Sequence, residues 1–111
     1  MFEILIKKIL KGEKVAGKVD LSFVRDKTMR GLNRRFRKKD QSTDVLAFPY
    51  GEKELLGDVI ISSDTARRNA KSFGVAYREE VKRLVIHGVL HVLGYDHGSK
   101  MRNAEKIYTQ L

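Results

Sequence analysis

Residues 77–97 read YREEVKRLVIHGVLHVLGYDH. Leu84, Val85, Ile86, Val89, Leu90, Val92 and Leu93 make this stretch apolar nearly all round, so the spacing predicts a buried helix over 77–93. Gly94 ends it, because glycine enters the left-handed conformation that turns a chain off a helix end. The rest of the fold must therefore wrap one buried helix.

Outward from it, the last helix is expected over 99–111. Upstream, Ser63 or Asp64 caps a helix running to about 73, closed by Gly74. LLGDVIIS (55–62) and TDVLAF (43–48) read as strands, the second ended by Pro49. Asp26 is expected to cap a helix over 26–36 with Met29, Leu32, Asn33 and Phe36 on one face, although Gly31 weakens it. VDLSFV (19–24) alternates as a half-buried strand does. Interleaved strands and helices mean α/β or α+β, a small sheet covered by helices, with both classes open.

The chain has 111 residues and one proline, without repeats or a low-complexity linker, so residues 1–111 are expected to form one domain. It contains no cysteine, which excludes a disulfide scaffold, a thiolate metal site and a cysteine nucleophile. The opening MFEILIKKILKGEK is too short and too charged to span a bilayer, and no small-residue cleavage site follows it. It reads as an element packed on the core of a soluble, cytoplasmic protein.

All three histidines lie in the quoted stretch, at 87, 91 and 97. Helix positions four apart share a face, so His87 and His91 can reach one ion. Gly94 lets the chain fold back to offer His97 as a third ligand. The spacing H-x-x-x-H-x-x-G-x-x-H matches the metzincin skeleton, but Gly88 stands where those proteases carry the glutamate base. Three imidazoles leave a fourth position for water, the design of a catalytic zinc site, and histidines also suit nickel, copper or iron. Asp96 reads equally as an orienter of a ligand histidine or as a cap on the last helix.

The net charge is +9, from 23 basic and 14 acidic residues. Residues 25–39 (RDKTMRGLNRRFRKK) carry eight basic residues and one acidic, +7 of that total. Arg30, Arg34 and Arg37 fall at helical spacing with Arg35, Lys38 and Lys39 beside them, the footprint of a nucleic-acid binder. For RNA or DNA alike, a single strand is a better substrate expectation than a duplex, since it can be threaded over an open metal site.

Asn33, Phe36, Arg37, Lys39 and Asp40, followed by TDVLAF (43–48) with Pro49, LGDVII (56–61) and the histidine motif (87–97), resemble the YbeY family of bacterial endoribonucleases. The resemblance covers about 20–98. It implies a small mixed sheet of three to four strands with a central metal-binding helix. It further implies a zinc-dependent, single-strand-directed endoribonuclease that matures the 16S ribosomal RNA 3′ end and serves ribosome quality control. The RNA and the small ribosomal subunit would be its partners. On this resemblance His87, His91 and His97 correspond to the ligands, Arg37 to the functional arginine, and Asp58 to the aspartate of the LGD strand. The family pattern has proline at Ser42, serine at Ala47, acidic residues near Lys100 and Met101, and a longer first helix.

The expected chemistry is phosphodiester cleavage with Arg37 holding the phosphate and with water or the RNA 2′-OH attacking. Two other classes compete: a non-catalytic RNA-binding assembly factor with a structural metal, and a metzincin-like hydrolase. Gly88 speaks against the second.

Overall fold

The buried helix organises the molecule as expected. The computed structural model describes residues 2–111. Helices and strands follow in the order α1 (Glu3–Gly12), β1 (Lys18–Val24), α2 (Asp26–Arg37), β2 (Val45–Pro49), β3 (Leu55–Ser62), α3 (Ser63–Phe73), α4 (Tyr77–Val92) and α5 (Ser99–Thr109). Val81, Leu84, Val85, Ile86, Val89 and Leu90 of α4 are buried in one core with Ile9 of α1, Val59 and Ile61 of β3, and Met101 of α5. Each such side chain contributes about 1.5–3 kcal/mol relative to exposure. The opening segment packs on this core through Phe2, Ile6, Ile9 and Leu10. Among the described residues, no helix is long and apolar enough to cross a membrane.

The sheet runs β1-β3-β2. β3 is parallel to β1 and antiparallel to β2, so the sheet is mixed and the class is α+β. Gly57, Val59 and Ile61 alternate onto the α4 side. Two glycines allow α4 and the sheet to approach closely. A Cβ at Gly88 would lie 2.5 Å from Val59 Cγ1, and one at Gly57 would lie 2.8 Å from Val92 Cγ1 of α4.

β2 is an edge strand. The Tyr50 N–H donates to Leu56 O and the Ser62 N–H to Asp44 O, so even-numbered positions of β2 bond β3. Odd-numbered Val45, Ala47 and Pro49 turn their backbone groups to the free edge. Pro49, which has no N–H, fits only there.

Several local expectations need correction. Asp26 does not cap its helix: Arg25 is the N-cap, and Asp26 is the first helical residue. Ser62, rather than Ser63 or Asp64, takes the Thr65 N–H and caps α3. On the face expected to carry Met29, Leu32, Asn33 and Phe36, Met29 and Asn33 are buried while Phe36 is 54% exposed, its ring packed edge-on against Phe48. The strand expected at 43–48 begins at Val45 and includes Pro49.

Asp26 instead joins three elements. Its carboxylate accepts from the hydroxyls of Ser42 (3.0 Å), Ser62 (2.6 Å) and Thr65 (2.7 Å), and Arg68 lies 2.7 Å away. Burial raises its pKa, but the bonds from Ser62, Thr65, Arg68 and Ser42 outweigh this and hold it well below the carboxylate range. A carboxyl with a folded pKa below its unfolded value contributes stability above the unfolded pKa, and that contribution fades as pH falls toward the folded one. Unfolding free energy is therefore expected to decline below about pH 4. Urea titrations should show Asp26→Asn less stable at pH 7 by about 1–3 kcal/mol, with a flatter acid decline.

Candidate metal centre

α4 carries His87 and His91 on one face, and the turn after it returns His97. That turn is a Schellman motif: the Gly94 N–H donates to His91 O (3.0 Å), the Tyr95 N–H to Leu90 O (3.0 Å), and Gly94 has φ +101°. The ring of His97 then lies 4.8 Å from that of His91 and 5.6 Å from that of His87. One nitrogen from each histidine lies within 4.8 Å of the others.

The outer nitrogens of two imidazoles are engaged. His91 Nδ1 is 2.9 Å from the Tyr95 carbonyl oxygen, and His87 Nδ1 is 3.3 Å from Glu105 Oε2. A carbonyl and a carboxylate only accept, so both Nδ1 atoms carry the proton and both Nε2 atoms keep a bare lone pair. These Nε2 atoms face each other at 3.1 Å. Two lone pairs at that distance repel unless a proton or a metal ion lies between them. Nitrogens about 2.0–2.1 Å from one tetrahedral ion sit roughly 3.3–3.4 Å apart, so the donor set fits a metal. Burial, followed by the neighbouring His87, pushes the His91 imidazole below its ordinary pKa and keeps it neutral, as a ligand must be.

The histidines line a cleft of about 720 Å³ whose opposite wall is the free edge of β2. Arg37 and Lys39 reach it from the end of α2, where Lys38 takes a left-handed conformation that turns the chain. Arg37 Nη2 donates to Ala47 O at 2.7 Å, and its guanidinium lies 5.4 Å from the centre of the Phe48 ring. Asp44 and Asp96 also line the cleft.

The other basic residues are placed differently. Arg30 forks onto Asp40 at 2.8 and 3.1 Å, and Arg34 lies 3.9 Å from the same carboxylate. Arg25 pairs with Asp64 at 2.8 Å. Arg34, Arg35 and Lys38 are exposed but do not line the cleft. The +7 stripe is thus partly neutralised and directs two cations to the histidines.

Among the described residues, neither Asp58 nor Asp96 hydrogen-bonds a histidine. Asp58 lies on the sheet face away from α4, where Tyr50 Oη donates to it, so it is not brought to the histidines. Asp96 stands exposed on the rim, hydrogen-bonded to no histidine among the described residues, and Gly98 rather than Asp96 occupies the N-cap of α5. The orienting groups are Glu105 and the Tyr95 carbonyl. Glu105 lies 18 residues from His87, and no local pattern links them. If the three histidines hold a metal, Glu105→Ala is expected to weaken its binding about tenfold, read by chelator competition.

Gly88 also gains a physical reason. A side chain there would meet Val59 and Val45 of the sheet, so a protease-type glutamate has no room at the helix–sheet contact.

A buried helix bearing two histidines, a third from its terminal turn and a mixed sheet with its edge beside them define an α+β protein built around a candidate tri-histidine centre. The family model "Endoribonuclease YbeY" matches residues 1–110, and the chain belongs to this family. A relative named "Endoribonuclease YbeY" from Aquifex aeolicus is 51% identical over 78% of this chain and 59% of its own length. One of the same name from Persephonella marina is 42% identical over 82% of this chain and 63% of its own. The chain thus spans about three fifths of the length of these two curated relatives. The solution structure of TM1509 from Thermotoga maritima matches with a TM-score of 0.74 and 31% identity, covering 98% of this chain and 79% of that one.

Proposed function

We propose that residues 1–111 act as one domain, a zinc-dependent endoribonuclease that cuts single-stranded RNA. On this reading His87, His91 and His97 hold the ion, and Arg37 acts on the substrate phosphate. The observation that carries the reading is the pair of Nε2 atoms facing each other at 3.1 Å with His97 turned back beside them. Family membership and the printed names of the relatives support the RNA substrate.

A bound zinc ion supplies a Lewis acid for a phosphoryl oxygen and acidifies a water. The chain does the rest. Arg37 spends one N–H on Ala47 O and keeps its remaining donors for a phosphate in the cleft, where charge builds during cleavage. Lys39 adds a second positive charge, and the exposed Arg34, Arg35 and Lys38 draw the strand toward that wall. Arg30, held by Asp40, contributes mainly to the field of the stripe. The attacking group is water or the RNA 2′-OH, and a 2′,3′-cyclic phosphate on early products identifies the latter. By resemblance to its family, the proposed setting is the cytoplasm, the 16S rRNA 3′ end and the small ribosomal subunit.

Arg37→Ala and Arg34→Ala separate catalysis from capture. Arg37→Ala is expected to lower kcat on unpaired RNA about 10²-fold. Arg34→Ala should raise KM a few-fold in a salt-sensitive way and leave kcat alone. Zinc-loaded, nuclease-free protein that binds unpaired RNA without cutting it would overturn the enzymatic reading.

A further inference from the structure

Glu13 is an anion at the wrong end of a helix. It occupies the C-cap of α1, where the backbone already presents partial negative charge and a cation would be favoured. A Schellman turn fixes it there, with the Val15 N–H on Leu10 O (2.9 Å), the Lys14 N–H on Lys11 O (3.1 Å), and Lys14 at φ +58°. Its carboxylate accepts two phenols from distant parts of the chain. Tyr95 Oη donates at 2.7 Å and Tyr108 Oη at 2.5 Å, across separations of 82 and 95 residues. Gly12 makes room for this, since a Cβ there would lie 2.6 Å from Tyr108 Oη.

Tyr95 is the residue whose backbone carbonyl holds His91 Nδ1, two positions before His97. Its side chain runs the other way and ends on α1. The Tyr95 bond therefore fastens the loop that aims one histidine and delivers another. The Tyr108 bond fastens α5, which Met101 and Ala104 also bury in the core.

We propose that Glu13 is a positioning residue for the metal centre. It acts through Tyr95 to hold the 94–97 loop so that the His91 ring and His97 stay convergent. The proposal rests on the tri-histidine reading above and adds to it a residue of α1 that touches neither metal nor substrate. It predicts that loosening one phenol bond on α1 changes metal affinity out of proportion to its effect on stability.

The test compares Tyr95→Phe with Ile9→Val in the full chain. Ile9 is a fully buried residue of the same helix, and its loss of one methylene costs about as much stability as one hydrogen bond. Zinc affinity is read by competition with a chromophoric chelator, and amide exchange over 94–97 is read in metal-stripped protein. Tyr95→Phe should bind zinc about tenfold more weakly and exchange faster over 94–97, while Ile9→Val matches wild type in both. Glu13→Gln, with one strong acceptor oxygen left, should fall between them and serves if Tyr95→Phe does not fold. Wild-type affinity and exchange in Tyr95→Phe and Glu13→Gln overturn the proposal, as does an equal loss in Ile9→Val. Wild-type protein that takes up no zinc overturns the metal reading instead, and the exchange comparison still decides the positioning role.

Discussion

His91→Ala is expected to abolish the stabilisation that zinc confers, together with cleavage of unpaired RNA. In the wild type, zinc at 100 times its Kd adds about 2.7 kcal/mol to unfolding. For a chain of this size that is a Tm rise of roughly 10–20 °C. Removing an outer residue alone weakens metal binding 10–100-fold, and losing one of three ligands weakens it further. The variant should therefore show no zinc-dependent shift at the same concentration. Without metal it should unfold much like wild type, because the lost bond to the Tyr95 carbonyl costs only about 1 kcal/mol and one of two opposed lone pairs disappears with it. Thermal scans of both proteins with and without zinc separate these terms. An equal zinc shift in His91→Ala would place the ion elsewhere.

The second large effect belongs to Gly88, and its sign runs against helix propensity. Alanine in a helix interior normally gains about 1 kcal/mol over glycine. Here the added Cβ falls 2.5 Å from Val59 Cγ1 and 3.1 Å from its other methyl, with Val45 Cγ2 at 3.3 Å. Val59 is fully buried, so it has no free space to move into. Overpacking of this kind costs about 1–3 kcal/mol, which outweighs the propensity gain. Gly88→Ala is expected to lower the urea midpoint, and Gly88→Glu, which restores a metzincin-type base, to lose the fold rather than gain peptidase activity. Gly57→Ala should be worse than Gly88→Ala, because the obstructing atom 2.4 Å away is the Phe48 backbone carbonyl oxygen. A stabilised Gly88→Ala would mean that the helix–sheet contact is looser than these distances.

What was legible in the sequence follows from the range of each interaction. The α4 helix and its glycine stop depend on neighbours within one or two turns, and both stand where the pattern put them. So does β3, because its apolar residues sit on a strand between two others. The three histidines were readable because i, i+4 spacing and a glycine turn are local geometry. Asp26 was misread because a helix-start aspartate usually caps, whereas here Ser62 and Thr65 arrive from 36 and 39 residues away and claim its oxygens. The exposure of Phe36 was not legible, because its apolar spacing says nothing of what lies opposite, and what lies opposite is the edge-strand residue Phe48. Glu105 and Glu13 carried no signal at all, since a carboxylate on a solvated helix face and one that holds a ligand or its loop look alike in sequence. The aspartates singled out, Asp58 and Asp96, lay inside recognisable motifs, but motif membership did not bring either into hydrogen-bond contact with a histidine. The basic stripe was readable as charge, while its partial cancellation by Asp40 and Asp64 required the fold.

The most direct test of the central claim is a zinc titration of chelator-stripped protein, free of any affinity tag, followed by cleavage of an unstructured RNA. Cleavage should be absent at the start, rise with added zinc and level off at one equivalent per chain. Cleavage that persists undiminished in stripped protein, or a chain that takes up no zinc, would contradict the account.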